Sequence, residues 1–158
     1  MPAPASSALA LRAAARSDLP SVLRLYAQPD FDDGVTLLLA HAERIFERMR
    51  SYPDYTLHVA EHGGTVVGSL ALLIMDNLGH VGAPSAVVED VVVDPAYQRR
   101  GVGRAMLAYA IDIARDRGCY KLALSSNAKR AHAHAFYEAL GFRRHGFSFI
   151  VEPPNMSA

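Results

Sequence analysis

Cysteine is scarce in this chain, and charge of one sign is not in excess. A single Cys119 excludes an intramolecular disulfide and a cysteine-rich zinc site. Sixteen basic and sixteen acidic residues cancel, so no global field favours nucleic acid or an anionic membrane, and neither is an expected partner. Any anion site must be local. Long apolar runs are missing too: none approaches the ~20 residues that span a bilayer. The opening "MPAPASSALALRAAARSDLP" carries arginines where the apolar part of a secretory signal would sit, so a cytoplasmic protein is expected. Seven histidines are scattered without an HExxH-type helix, and no metal is expected. Repeats and an interdomain linker are likewise absent.

What is present suits one globular domain. The 158 residues are 51% hydrophobic and 20% charged, enough to bury a core. The reading places a flexible tail at 1–8, a folded domain at 9–152 and a second tail at 153–158. "LALRAA" reads as a strand, followed by a helix through "DLPSVLRLYAQ" capped by Ser17. "VTLLLAHAERIFERMRSY" repeats Leu38, Ala42, Ile45 and Met49 at helical spacing, and Pro53 ends it. "YTLHVAEHGGTVVGSLALLIM" reads as a hairpin about Gly63-Gly64. "AVVEDVVVDP" is a valine-rich strand, expected to be buried on both faces at the middle of a sheet. A helix follows from about Gly101 to Arg117, with Met106, Ala110, Ile113 and Ala114 on one side and Gly118 as its stop. "CYKLALSS" is a strand, "AHAHAFYEAL" a helix, and "FRRHGFSFIVE" a final hairpin-like stretch. Antiparallel strands with one strand-helix-strand crossover predict an α+β fold, a mixed sheet flanked by helices.

The junction "AYQRRGVGRAML" sets two glycines, Gly101 and Gly103, and three arginines, Arg99, Arg100 and Arg104, where a helix begins. A helix N-terminus offers backbone N–H groups without internal partners, and its dipole favours an anion. Glycine lets a phosphate approach the backbone closely. The loop lacks the Gly-Lys-Ser/Thr ending of a nucleotide P-loop, and Met106 stands where a dinucleotide fingerprint has its third glycine. A compact diphosphate on the helix N-terminus is the reading that survives.

"VVVDPAYQRRGVGRAML" resembles the acetyl-CoA motif of the GNAT superfamily of N-acetyltransferases, Gln/Arg-x-x-Gly-x-Gly/Ala, filled here by Gln98, Gly101 and Gly103. "AFYEALGF", with Phe136, Tyr137, Gly141 and Phe142, resembles the family's second element, in the family's order and at about its separation. Glucosamine-6-phosphate and aminoalkylphosphonate N-acetyltransferases look most similar. The resemblance implies a GNAT-type twisted sheet in which the strand ending at Val93 and the strand from Cys119 splay apart. Acetyl-CoA, as co-substrate, would lie in that gap. Its pantetheine would pair with backbone at Val91, Val92 and Val93, and amides from Arg99 through Arg104, Val102 included, would hold the pyrophosphate. A β-bulge in the valine strand would supply such unpaired groups. Asn127 is a further cofactor-binding candidate, because Arg130 stands where many family members carry asparagine.

The expected chemistry is direct attack of a small-molecule amine on the thioester. A strand N–H near Val91 or Val92 would polarise the carbonyl, a donor worth ~3 kcal/mol. A thiol has a pKa of ~8.5 and tyrosine ~10, so Tyr137 can serve as acid for the departing thiolate. Glu89 is the candidate base, directly or through water; a structural carboxylate is the competing reading. Strand alternation predicts that Glu89 and Asp90 face opposite ways. Asp30, Asp32 and Asp33 form either an acidic rim for a cationic amine or a solvated turn. Lys129, Arg130, Arg143 and Arg144 suit either a phosphorylated acceptor or a solvated face. A homodimer is a further expectation. The alternative to the enzyme is a non-catalytic acyl-CoA-binding regulator, which would keep the Gly/Arg loop but have no need of Tyr137.

Overall fold

Most of the strands and helices expected from the sequence recur in a computed structural model, which describes residues 8–152. The expected tails at 1–8 and 153–158 lie outside the described residues, Ala8 excepted. Chain contacts divide it into two units, the first running to Leu124 and the second from Ser125. Each is described by itself.

The first unit holds β1 (Ala10–Ala13), α1 (Leu19–Tyr26), α2 (Leu39–Ser51), β2 (Tyr55–His62), β3 (Thr65–Met75), β4 (Ser85–Val93), α3 (Val102–Asp116) and β5 (Lys121–Ala123). The sheet order is β1-β2-β3-β4-β5. The first four strands pair antiparallel, while β5 returns parallel to β4 after the α3 crossover. The middle strand is therefore β3, not the valine-rich β4. Val66 to Leu72 of β3 are all buried, as a strand covered on both faces requires.

Two helices cover one face. Leu19, Val22 and Leu25 of α1 and Phe46 of α2 pack with Leu57, Val59, Val66 and Val92 of the sheet. Each such side chain contributes ~1.5–3 kcal/mol on burial, against ~0–1 kcal/mol for an exposed ion pair such as Arg16–Glu43. Apolar burial therefore docks these helices. On the other face, Met106, Leu107, Ala110 and Ala114 of α3 are buried, and Ile113 of the expected stripe is only half-buried.

Two expectations about the helices need correction. Ser17 is exposed and does not cap α1. Asp18 holds the N-cap position of α1 without a side-chain bond to that helix; its carboxylate accepts from the Ala15 amide at 2.7 Å, closing the short 3-10 turn Arg16–Asp18, while Arg12 holds the same carboxylate at 2.7 and 3.0 Å. That reach back by three residues caps the turn that leads into α1. The second helix starts at Leu39 rather than Val35, and Leu38 is extended and exposed. Residues preceding it are tied into a turn by Gly34 N–H to Ala27 and Val35 N–H to Asp32, and β-branched Val35 and Thr36 favour the helix least.

The second unit contains α4 (Ala131–Ala139). "FRRHGFSFIVE" is not a hairpin there: no strand forms among its described residues, and Phe147, Phe149, Ile150 and Val151 are exposed. Alternating apolar residues need a strand partner to become a ladder, and none is present among the described residues.

Candidate active site

The site begins with a fault in β4. Its register with β3 runs from Glu89 opposite Ala71 to Val92 opposite Ser69, leaving Asp90 and Val91 to face Leu70 alone. Two residues opposing one is a β-bulge. Asp90 takes a left-handed φ of 54°, which breaks the alternation expected at Glu89 and Asp90. Both carboxylates act electrostatically on Tyr55 of β2. On the other edge, pairing with β5 stops at Val87–Ala123, so Val88–Val93 have no ladder partner there among the described residues. Backbone groups of that edge are available to an extended amide-bearing ligand.

The carbonyl of Val93 is an exception. It accepts from Gln28 Nε2 at 3.1 Å and from Gln98 Nε2 at 3.2 Å. Gln98 thus braces the strand end in this structure. Next to it, Asp94 accepts from the Ala96 amide at 2.9 Å and pairs with Arg24 at 2.8 Å, fixing how the chain leaves the sheet.

The loop then turns twice through the left-handed region, at Arg99 (φ 61°) and Gly101 (φ 83°), before α3. Gly101 is the helix N-cap, and the first amide to reach back to it is that of Ala105, at 3.0 Å. The amides of Val102, Gly103 and Arg104 precede that bond and have no partner within the helix, by the geometry of any helix start. Val102 is buried and anchors this turn, while Gly101 and Arg104 are exposed. Arg100 rests over the Tyr97 ring at 5.5 Å, so one of the three arginines is restrained on the rim. Open amides, a dipole and arginines fit a diphosphate, as read from the sequence.

Glu89 and Asp90 both hold protons more tightly than usual. Partial burial raises Glu89, with repulsion from Asp90 adding to it; burial raises Asp90, with Asp32 adding. Carboxylates perturbed in this direction are candidates for proton transfer. Tyr26 and Tyr55, which no sequence motif singled out, share their neighbourhood: burial pushes both phenols up, and Asp90 contributes to each. Each falls on an amphipathic run that reads as ordinary core, so pattern alone gave no signal.

Tyr137 and Asn127 belong to the second unit. Tyr137 packs with Phe136 at 5.4 Å and Phe142 at 5.9 Å between ring centres. Burial raises its phenol despite the opposing pull of Arg130, which keeps its proton in place at neutral pH. Asn127 turns its side-chain oxygen onto the Lys129 amide at 2.9 Å, and its carbonyl lies 2.9 Å from His134 Nε2. Asn127 is therefore an Asx turn before α4, a local duty that the sequence reading did not assign to it. No group of three or more His, Cys, Asp or Glu among the described residues is arranged to hold a metal ion.

Residues 19–142 match the profile of the Acetyltransferase (GNAT) family. The chain is 43% identical over 82 residues to the glucosamine 6-phosphate N-acetyltransferase of Trypanosoma brucei brucei, covering 52% of this chain and 54% of that protein. It is 47% identical over 107 residues to the [ribosomal protein bS18]-alanine N-acetyltransferase of Escherichia coli (strain K12), covering 65% of this chain and 67% of that protein. A solved Trypanosoma brucei acetyltransferase superposes with a TM-score of 0.76 at 33% identity, over 92% of this chain and all of that one (100%). The match over the first of these relatives thus spans about half its length.

Proposed function

Because this chain belongs to the GNAT family of acetyltransferases, we propose that it transfers an acetyl group from acetyl-CoA to a small primary amine by direct attack. The observation that carries the reading is the bulged, part-unpaired β4 leading into the open N-terminus of α3. Both features suit the donor, the strand edge for pantetheine amides around Val91 and Val92, and the amides of Val102, Gly103 and Arg104 for the pyrophosphate. Glu89 takes the proton of the acceptor ammonium, directly or through water. The neutral nitrogen forms its bond to the acetyl carbon as the carbon–sulfur bond breaks, and a backbone N–H near Val91 or Val92 stabilises the oxygen charge. Tyr137 gives its phenolic proton to the departing thiolate, and the second proton that the nitrogen loses on becoming an amide restores the phenol through solvent, while the proton on Glu89 is released to solvent; the role is assigned from its place in "AFYEALGF" and supported by its retained proton. Asn127 is kept as a cofactor contact through its amide nitrogen. A single acetyltransferase domain over 9–152 goes with this reading.

The test is Tyr137→Phe, which keeps the ring and removes only the proton. Loss of a positioned acid lowers kcat by roughly 10²–10⁴-fold, with little change in acetyl-CoA affinity. The deficit shrinks with a thioester whose thiol is more acidic. A variant with the parent's chemical rate refutes the acid assignment, and a parent inert toward a broad amine panel favours the non-catalytic acyl-CoA binder.

A further inference from the structure

A cleft of about 520 Å³ lies between the last turns of α2 and the start of β2, within the first unit. Its volume is that of a small-ligand site, and the acetyl-transfer reading uses none of its residues. Phe46, Met49 and Arg50 form one wall, at the i, i+3, i+4 spacing of a single helix face. Tyr55 and Leu57 of β2 form the floor. Leu57 packs with Phe46, so Tyr55, two residues away on the strand, shares the face that α2 covers.

The floor carries an unused pair of backbone groups. The Ile74 amide donates to the Asp54 carbonyl at 3.0 Å, while Tyr55 stands opposite Leu73. Backbone groups of successive residues alternate between the two neighbours of an antiparallel strand, so the N–H and C=O of Tyr55 point away from β3. β1 lies on that side, but its pairing ends at Ala13–His58. The Ala14 amide makes a last bond to the Leu57 carbonyl at 2.8 Å, and the Ala15 amide turns off to Asp18 at 2.7 Å. Neither backbone group of Tyr55 has a partner among the described residues. A donor and an acceptor side by side on a strand edge match one residue of an extended peptide.

Three charged residues line the cleft. Arg16 is paired with Glu43 and Asp54 with Arg117, each at 2.7 Å. Arg50 is held more loosely: its guanidinium lies over the Phe46 ring at 5.9 Å, and the exposed Glu47 stays 3.7 Å away. An exposed pair at that distance is weak, so Arg50 keeps charge to offer an anion. Because Arg50 lies over Phe46, that anion adjoins whatever apolar group meets Phe46 and Met49. A C-terminal apolar residue carries both on one Cα, and its side chain, opposite Tyr55, shares the face of α2.

We propose that this cleft binds the carboxyl end of a peptide whose last residue is apolar. The last N–H donates to the Tyr55 carbonyl, the carboxylate accepts from the Tyr55 amide and from Arg50, and the side chain packs on Phe46 and Met49. The site stands independently of the acetyl-transfer reading.

Calorimetry with the full chain compares acetyl-Ala-Ala-Leu, its C-terminal amide and hexanoate, an apolar acid without a peptide group. The free acid should bind about tenfold or more tightly than either, the worth of a hydrogen bond to a charged group. Added salt should weaken the acid alone. Arg50→Gln should bring the acid to the level of the amide and leave the amide unchanged; an unaltered acetyl-CoA affinity shows that this surface variant is folded. The Tyr55 amide resonance should move to lower field on binding, as a newly bonded N–H does. Equal affinity for acid and amide, or for acid and hexanoate, overturns the proposal. So does an acid indifferent to Arg50→Gln, a Tyr55 amide that does not move, or no binding at millimolar peptide.

Discussion

Gly101→Ala separates the backbone's contribution to the diphosphate loop from that of its side chains. Gly101 sits at φ 83°, and a Cβ built on it meets nothing within 4 Å. Steric clash is therefore absent, and the penalty is conformational. An L-residue in the left-handed region costs ~1–2 kcal/mol. For a chain of this size that lowers Tm by about 2–4 °C per kcal/mol, or roughly 2–8 °C in all. The chain has one way to relieve the strain, which is to rotate Gly101 out of that region. Such a rotation tilts the amides of Val102, Gly103 and Arg104, the first turn of α3, away from a bound diphosphate. Acetyl-CoA affinity, read by calorimetry, should then fall by about tenfold per 1.4 kcal/mol of lost contact. Gly101→Asn supplies the control, because asparagine tolerates the left-handed region better, and it should recover part of both losses. An alanine variant as stable as the parent, binding acetyl-CoA equally well, refutes the reasoning. So does an asparagine variant no better than alanine, since the loss would then have a cause other than φ.

Two further outcomes follow from packing and burial in the first unit. A Cβ at Gly68 falls 2.6 Å from Met106 Sδ and 3.3 Å from the Val92 carbonyl, so Gly68→Val should cost about 1–3 kcal/mol by overpacking. Urea unfolding measures this, and Met106→Ala in the same chain should return part of it; purely additive losses would show that the contact is not the cause. His58 is buried against Tyr109, its Nδ1 has no hydrogen-bonding partner, and burial lowers its pKa. The folded state thus resists a proton that the unfolded chain accepts near pH 6.5, so stability is full above about 6.5 and declines as pH falls. The slope reaches at most about 1.4 kcal/mol per pH unit for one proton. His58→Leu should flatten this limb in urea midpoints taken from pH 5 to 8, and an unchanged limb would assign it to another group.

Sequence alone determined most elements of the first unit and the loop. Helical spacing in "VGRAMLAYAIDIARD" and alternation about Gly63-Gly64 are local properties, so α3 and the β2–β3 hairpin were legible within a residue or two. Gly101, read from the sequence as room for a phosphate, proves also to take the left-handed turn at the helix start, which glycine enters without strain. What tertiary structure decided was everything set by pairing at a distance. The bulge at Asp90 arises from the register of β4 on β3, and no pattern within "VVEDVVV" fixes a partner's register. The middle of the sheet went to β3 rather than to the valine-rich strand because strand order is a matter of which edges meet. Tyr26, Asp32, Tyr55, Ser69 and Asp90 are strangers in sequence, each with an ordinary local reason to be where it is. Packing across the sheet, not nearness along the chain, sets which charge reaches which phenol, so that Asp90 acts on both Tyr26 and Tyr55.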